Sequence, residues 1–192
     1  MKKQVFILFL LALPCVLFAQ EVLKQREIGL VTRDFDSFGL SYKVGTAKSL
    51  WRFNTLVAAG NKYEESSDNV TETRTNADVW LAVGREFHKT MAEKFELRYG
   101  LDVSFRYLRN KTDYETYVDD RKLFEPGVNL VVGLNYLLSE NFVFGAEILP
   151  FFTYCTGTSE RGGSENKLKK DVSGFDYGLS NSSVLISLSY RF

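Results

Sequence analysis

The sequence predicts an all-β chain, an eight-stranded antiparallel up-and-down transmembrane β-barrel. Three observations predict it: long runs of strict two-residue alternation, aromatic residues gathered on the apolar side of those runs, and short turns that alternate with long polar connections. The aromatic supply is large, with 16 Phe and 10 Tyr in 192 residues. A formal charge of zero, from 24 basic and 24 acidic side chains, gives no excess to hold phosphates and excludes a nucleic-acid binder. So rich an aromatic content also excludes a disordered chain. The mean hydropathy of −0.15 resembles that of a soluble protein. A barrel that averages a greasy outside with a charged inside gives the same figure.

The first element is a targeting segment. Residues 1–19 carry Lys2 and Lys3 ahead of an apolar run from Val5 to Ala19, interrupted by Pro14. The run is short for a membrane-spanning helix and fits a secretory signal, with Ala19 as the last residue removed. A lipid-modified Cys15 fits badly between Pro14 and the apolar VLF that follows. Cleavage leaves Cys155 as the lone thiol of a domain over 20–192, so no internal disulfide staples the fold.

The strands follow in order. Residues 27–32 (EIGLVT) form a weak first strand, joined through RDFDS to 38–45, where Phe38, Leu40, Tyr42 and Val44 share a face. In 51–57, Trp51, Phe53, Thr55 and Val57 oppose Arg52, Asn54 and Leu56. In 79–87, Val79, Leu81, Val83 and Phe87 oppose Trp80, Ala82, Gly84 and Glu86. The clearest run is 95–107, FELRYGLDVSFRY, which no helix of period 3.6 accommodates. It is long enough to cross a bilayer when tilted. Residues 127–138 and 142–154 repeat the pattern, and Pro150 predicts a bulge or a ladder break because it has no N–H to donate. In 171–192 the phase changes near Asn181–Ser183. A bulge there, rather than a hairpin, keeps the strand number even and both termini on one side.

Connections 46–48, 88–94 and 139–141 are short, whereas 60–76, 108–125 and 155–170 are long and polar. That asymmetry puts turns on the periplasmic rim and loops outside. A soluble lipocalin-like barrel would turn the apolar face inward instead. Against that stand the bulky aromatics at strand ends, suited to interfacial girdles, and the glycines at Gly39, Gly84, Gly100, Gly133 and Gly145 on the polar face, which make room for long charged side chains.

The chain closes on SLSYRF, and Tyr190 with terminal Phe192 resembles the C-terminal signal by which bacterial outer-membrane barrels are recognised for insertion. With EIGLVTRDFDSFGLSYK and the turn LLSENF, residues 24–192 resemble the small outer-membrane β-barrel (porin-like) family of Bacteroidetes type. The resemblance implies fold and a bacterial outer-membrane location. It implies hardly anything about activity.

Parity sends Lys43, Arg52, Arg98, Arg106 and Arg191 into the lumen with Glu86, Glu96, Asp102, Glu147 and Asp176. An eight-stranded barrel is only wide enough for side chains to fill it. Unpaired charges there cost several kcal/mol each, so the expectation is an ion-paired polar plug, with a narrow channel for ions or small solutes as the rival. His88 is read as a solvated residue of a periplasmic turn, on the wrong rim for an enzyme acting on outer-leaflet lipid. Cys155 has no histidine beside it. Asp113, Glu115, Asp119 and Asp120 form an acidic loop that matches no EF-hand spacing. No phosphate loop, dinucleotide fingerprint or zinc spacing occurs, so no cofactor, metal or catalytic residue is assigned. The expected role is structural or interactive in a monomer: envelope integrity, adhesion or service as an accessory subunit. The expected partners are outer-membrane lipid and lipopolysaccharide, the barrel-assembly machinery during insertion, and a protein met through the external loops.

Overall fold

A computed structural model describes residues 24–34, 37–67, 70–114, 117–163, 166–180 and 183–192, so the signal segment 1–19 lies outside the described residues. The strands are β1 (Gln25–Asp34), β2 (Ser37–Thr46), β3 (Ser49–Ser67), β4 (Val70–Ala92), β5 (Phe95–Tyr114), β6 (Val118–Leu137), β7 (Phe142–Ile148), β8 (Phe151–Gly162), β9 (Lys167–Gly178) and β10 (Val184–Arg191). All pairings are antiparallel. Each of β1 to β6 pairs with the next, β7 pairs with β10, and β10 returns to β1 through Glu27↔Arg191 to Thr32↔Ile186. The result is a closed ring of eight strands. Closure leaves no sheet edge at this level, which is the condition for a sheet to stand in hydrocarbon. The ends meet at one rim, where Arg26 and Phe192 exchange backbone hydrogen bonds of 2.9 Å.

Two ring positions are strands broken in the middle. β7 and β8 both pair with β6, and β9 continues β10 by pairing with β8. The break falls at Leu149–Pro150, where Pro150 has no proton for the ladder although its carbonyl still accepts from Leu130 N at 2.9 Å. The alternation of 142–154 runs through this break unchanged. The neighbouring strand absorbs the irregularity: Phe151 pairs with Gly178, whereas Leu149 N donates to Ser183 O at 2.7 Å. The additional residues between Gly178 and Ser183 shift the phase, and Gly178, at φ 146°, takes a conformation that side chains rarely adopt. Asn181 and Ser182 lie outside the described residues. β9 and β10 do not form a hairpin with one another.

The three connections expected as long loops are extended hairpins. β3 and β4 stay paired to Ser67↔Val70, β5 and β6 to Asp113↔Val118, and β8 and β9 to Gly162↔Lys167. Both faces of these extensions meet water, so no apolar alternation marks them in the sequence, yet the backbone ladder continues. The turn expected over 88–94 is correspondingly shorter, because β4 runs on to Ala92.

Apolar residues face outward around the ring, with Leu101 49%, Leu130 54% and Leu188 48% exposed. Aromatic pairs edge this belt. Phe95–Tyr136 and Phe142–Tyr190 lie near the rim that carries the termini, and Phe105–Phe124 and Phe152–Phe175 lie toward the other. Such girdles suit the two interfaces of a bilayer.

Candidate functional site: the barrel lumen

Alternation turns every second residue of each ring strand inward, so the lumen is built in layers along the axis. At the terminal rim, Arg191 on β10 donates to Glu27 on β1 at 2.8 Å and to Glu96 on β5 at 3.0 and 3.2 Å. His88 on β4 belongs to this layer, with Nε2 2.8 Å from Glu86 and Nδ1 3.5 Å from Glu96. The expectation of a solvated turn residue is therefore corrected. The strand continues past His88, and its even parity aims the imidazole inward with Glu86.

The next layer is centred on Arg52. Its guanidinium donates to both oxygens of Glu147, at 2.9 and 2.6 Å, and to Glu86 at 3.0 Å, and its Nε stands 3.3 Å from Asp102. Lys43 donates to Glu86 at 2.7 Å and lies 3.7 Å from Glu27, and Arg98 approaches Glu147 at 2.9 Å. All of these side chains are at most 3% exposed. The Arg98 guanidinium fits because Gly145 faces it: a methyl group there would stand 2.9 Å from Nη2. Gly84 makes the same room for Asp102.

Above the charges lies an apolar layer that parity did not single out. Val31, Trp80, Ala82, Val131, Leu149 and Leu185 form one buried cluster inside the ring. They sit one inward position further along their strands than Gly29, Ala82 or Gly84, Gly133, Glu147 and Ser187. The layer was overlooked because a minority of apolar residues among polar ones on the lumen face reads as noise until closure brings them to one height.

Beyond this layer the lumen widens into an outer cavity of about 350 Å³ at the level of the strand breaks. Arg106 and Asp176 face it rather than joining the interlocked set. Both stand above the closed part of the ring, where solvent enters, and Asp176 on β9 is exposed. Arg106 pairs with Asp78 at 2.8 and 2.5 Å, with both side chains more than a third exposed.

Residues 108–114 and 118–125 of the acidic stretch are strand rather than loop, and cations on the same or the neighbouring strand occupy its described carboxylates. Asp119 accepts from Arg161 at 2.6 Å, Asp120 accepts from Arg109 at 3.0 Å with Lys122 at 3.1 Å, and Asp113 pairs with Lys111. Partial burial pushes the Asp120 carboxyl up, but the Arg109 and Lys122 contacts outweigh it and hold the group below its ordinary value. Glu115 lies outside the described residues. Cys155 is half-buried on β8. Among the described residues, no group of three or more His, Cys, Asp or Glu side chains is placed to hold a metal ion.

No family model and no curated protein sequence matches the chain. Solved structures do. A major outer membrane protein from Thermus thermophilus is similar at a TM-score of 0.53 and 13% identity, covering 88% of this chain and 99% of that one. Ail, the attachment invasion locus protein of Yersinia pestis, solved with the heparin analogue sucrose octasulfate, matches at a TM-score of 0.40 and 16% identity over 88% of this chain and 98% of its own. The first likeness shows the fold, that of an outer-membrane β-barrel. The second carries no argument.

Proposed function

We propose that this protein stands in the bacterial outer membrane as a plugged barrel, and that its role is structural or interactive rather than conductive or catalytic. One observation carries the reading. Around the ring, β3 and β7 are opposite one another, and Arg52 on the first reaches Glu147 on the second. A contact across the full diameter leaves no continuous water path beside it, and the apolar layer above adds a second, dewetting obstacle. What the barrel offers to its surroundings is then its extensions: the six strands β3, β4, β5, β6, β8 and β9 that rise beyond the belt as one sheet.

The terminal rim faces the periplasm in this reading and the hairpins face outward, where they meet lipopolysaccharide and protein partners. The barrel works as a monomer after insertion through the assembly machinery, with Tyr190 and Phe192 presented on the lipid face of the last strand. No catalytic step is assigned. The sequence has a single histidine, and carboxylates and lumen walls enclose it at the periplasmic end.

Planar-bilayer recording tests the plug. The expected result is no steady conductance from the purified barrel, with stepwise current appearing once Arg52, Glu147 and Trp80 of the apolar layer are all replaced by Ala. Steady wild-type conductance that vanishes on substituting Arg98 or Glu96 would establish a narrow ion path and remove the reading. Fractionation and heat-dependent gel mobility test the location separately. Recovery as a soluble protein without a mobility shift contradicts it.

A further inference from the structure

We infer that the outer cavity is a binding site for a neutral saccharide unit. It lies on the far side of the apolar layer from the charge network, so it stands whether or not the lumen conducts. Its floor and wall are apolar and aromatic, from Trp80, Leu149 and Phe151, and its volume of about 350 Å³ falls in the range of small-ligand sites.

The polar lining says what the ligand offers. Asn129 is 6% exposed and lines the cavity, and its amide nitrogen has no hydrogen-bond partner. An amide donor left unpaired while buried costs free energy that an acceptor on a ligand would recover. Glu125, on the same strand and face as Asn129, has only a long ion pair, 3.8 Å to Arg106, and Asp176 on β9 lines the cavity as an exposed carboxylate that forms no ion pair among the described residues. Both carboxylates are open to donors on a ligand. Hydroxyls meet both demands at once, since each donates and accepts. The side chains of Thr153 and Ser104 add further hydroxyl partners.

Charge argues for neutrality. Arg33 on β1 and Arg106 on β5 line the cavity together with Glu125 on β6 and Asp176 on β9, so the site has no excess of either sign. Arg106 is already engaged by Asp78, and the Arg33 guanidinium lies over the Trp80 ring at 4.7 Å. A sugar ring suits such a site, with its apolar face on an aromatic side chain and its hydroxyl edge on amide and carboxylate groups. The level of the cavity also matters. Ser104 and Phe151 each precede a residue of the outer aromatic girdle, Phe105 and Phe152, so the mouth opens where the outer-leaflet headgroups end. The saccharide therefore has two sources, a free oligosaccharide outside the cell or the sugar headgroup of a glycolipid.

The test uses the whole barrel in a zwitterionic detergent without sugar headgroups, carrying Trp51→Phe so that emission reports Trp80. Maltose is titrated in one arm. In a second arm the barrel is placed in phosphatidylcholine vesicles with or without monoglucosyl diacylglycerol. A saturable emission change in either arm is expected, with the responding arm naming the source. Asn129→Leu should abolish it, and Asp176→Asn should weaken it at least tenfold. Heat-dependent gel mobility checks that each variant is folded. If Asn129→Leu is not, Thr153→Val takes its place, with the same loss expected. The inference is overturned if neither sugar arm responds, if folded Asn129→Leu or Thr153→Val binds as the parent does, or if tetramethylammonium or inorganic phosphate elicits the response and maltose does not.

Discussion

Arg52 Nη2 lies 2.6 Å from Glu147 Oε1, and the strands that carry these residues face one another across the ring, 95 residues apart in the chain. Both side chains are almost wholly withdrawn from solvent. Removing one partner puts the buried network out of charge balance: without Arg52, Asp102 loses its close cation, and without Glu147, Arg98 loses its close carboxylate. Arg52→Leu or Glu147→Leu alone should therefore destabilise the barrel by about 3–5 kcal/mol. The double replacement by Leu should cost less than the sum of the two single losses, because it removes one charge of each sign from the network. Urea unfolding of the folded barrel in detergent, followed by gel mobility, measures all three.

Asp102 provides the contrast. It is fully buried, but neither carboxylate oxygen accepts a hydrogen bond, and its approach to Arg52 is 3.3 Å. Asp102→Asn should cost less than Glu147→Gln, by at least about 1 kcal/mol, because only Glu147 loses charge-assisted hydrogen bonds. Equal costs in the same unfolding assay would show that the two carboxylates are satisfied alike.

Gly84 is a packing position. A Cβ there would overlap the Asp102 carboxylate and the Leu101 carbonyl oxygen. Gly84→Val should destabilise by about 1–3 kcal/mol, the usual range for overpacking, and slow refolding into vesicles. Gly174, where a Cβ would meet nothing within 4 Å, is the control and should tolerate alanine.

On the lipid face, Val103 is 63% exposed on β5, between Val83 and Val128 across the ladder. Val103→Arg should cost about 2–4 kcal/mol if it stands at the bilayer midplane. The same change at Tyr63, on the water-exposed extension of β3, should cost close to nothing. Equilibrium unfolding from lipid vesicles separates the two, and equal effects would place the bilayer elsewhere.

The β5–β6 extension should respond to acid through Asp120. Its carboxyl is held below the ordinary value by Arg109 and Lys122, so its stabilising contribution is complete above about pH 4 and declines as pH falls through the lower folded value. Hydrogen exchange at the tip of this hairpin should accelerate as pH is lowered from about 5 to about 2.5, after correction for intrinsic rates. Asp120→Asn should remove that pH dependence while costing less than about 1 kcal/mol, since Arg109 is partly exposed.

Local chemistry made the ring strands and the break at Pro150 legible. A tilted strand with one greasy face has a two-residue signature that needs no neighbour to be read, and a proline lacks its proton wherever it stands. The extensions are illegible for the converse reason: Lys62 to Glu65 and Lys167 to Asp171 lie in ladders wetted on both faces, so composition resembles a loop. Glu27 was overlooked as a lumen charge because EIGLVT is short and weak alone, and only its pairing with the last strand makes it part of the wall. His88 is not legible as a lumen residue because β4 runs on to Ala92 through Lys89 and Thr90, which carry no apolar alternation to mark the strand.

Sequence by itself determined that this chain is a barrel with a polar inside, because face and period are properties of consecutive residues. It also determined the parity of charges within each long alternating run, such as Arg52, Arg98 and Asp102, but not that of Glu27 or His88. Tertiary structure alone decided which charges meet: Arg52 finds Glu147 because closure makes β3 and β7 opposite, while Arg106 and Asp176 stand above the interlocked layer. The apolar layer and the cavity beyond it were likewise decided by height along the axis. That coordinate is set by strand register around the ring, and no single strand contains it.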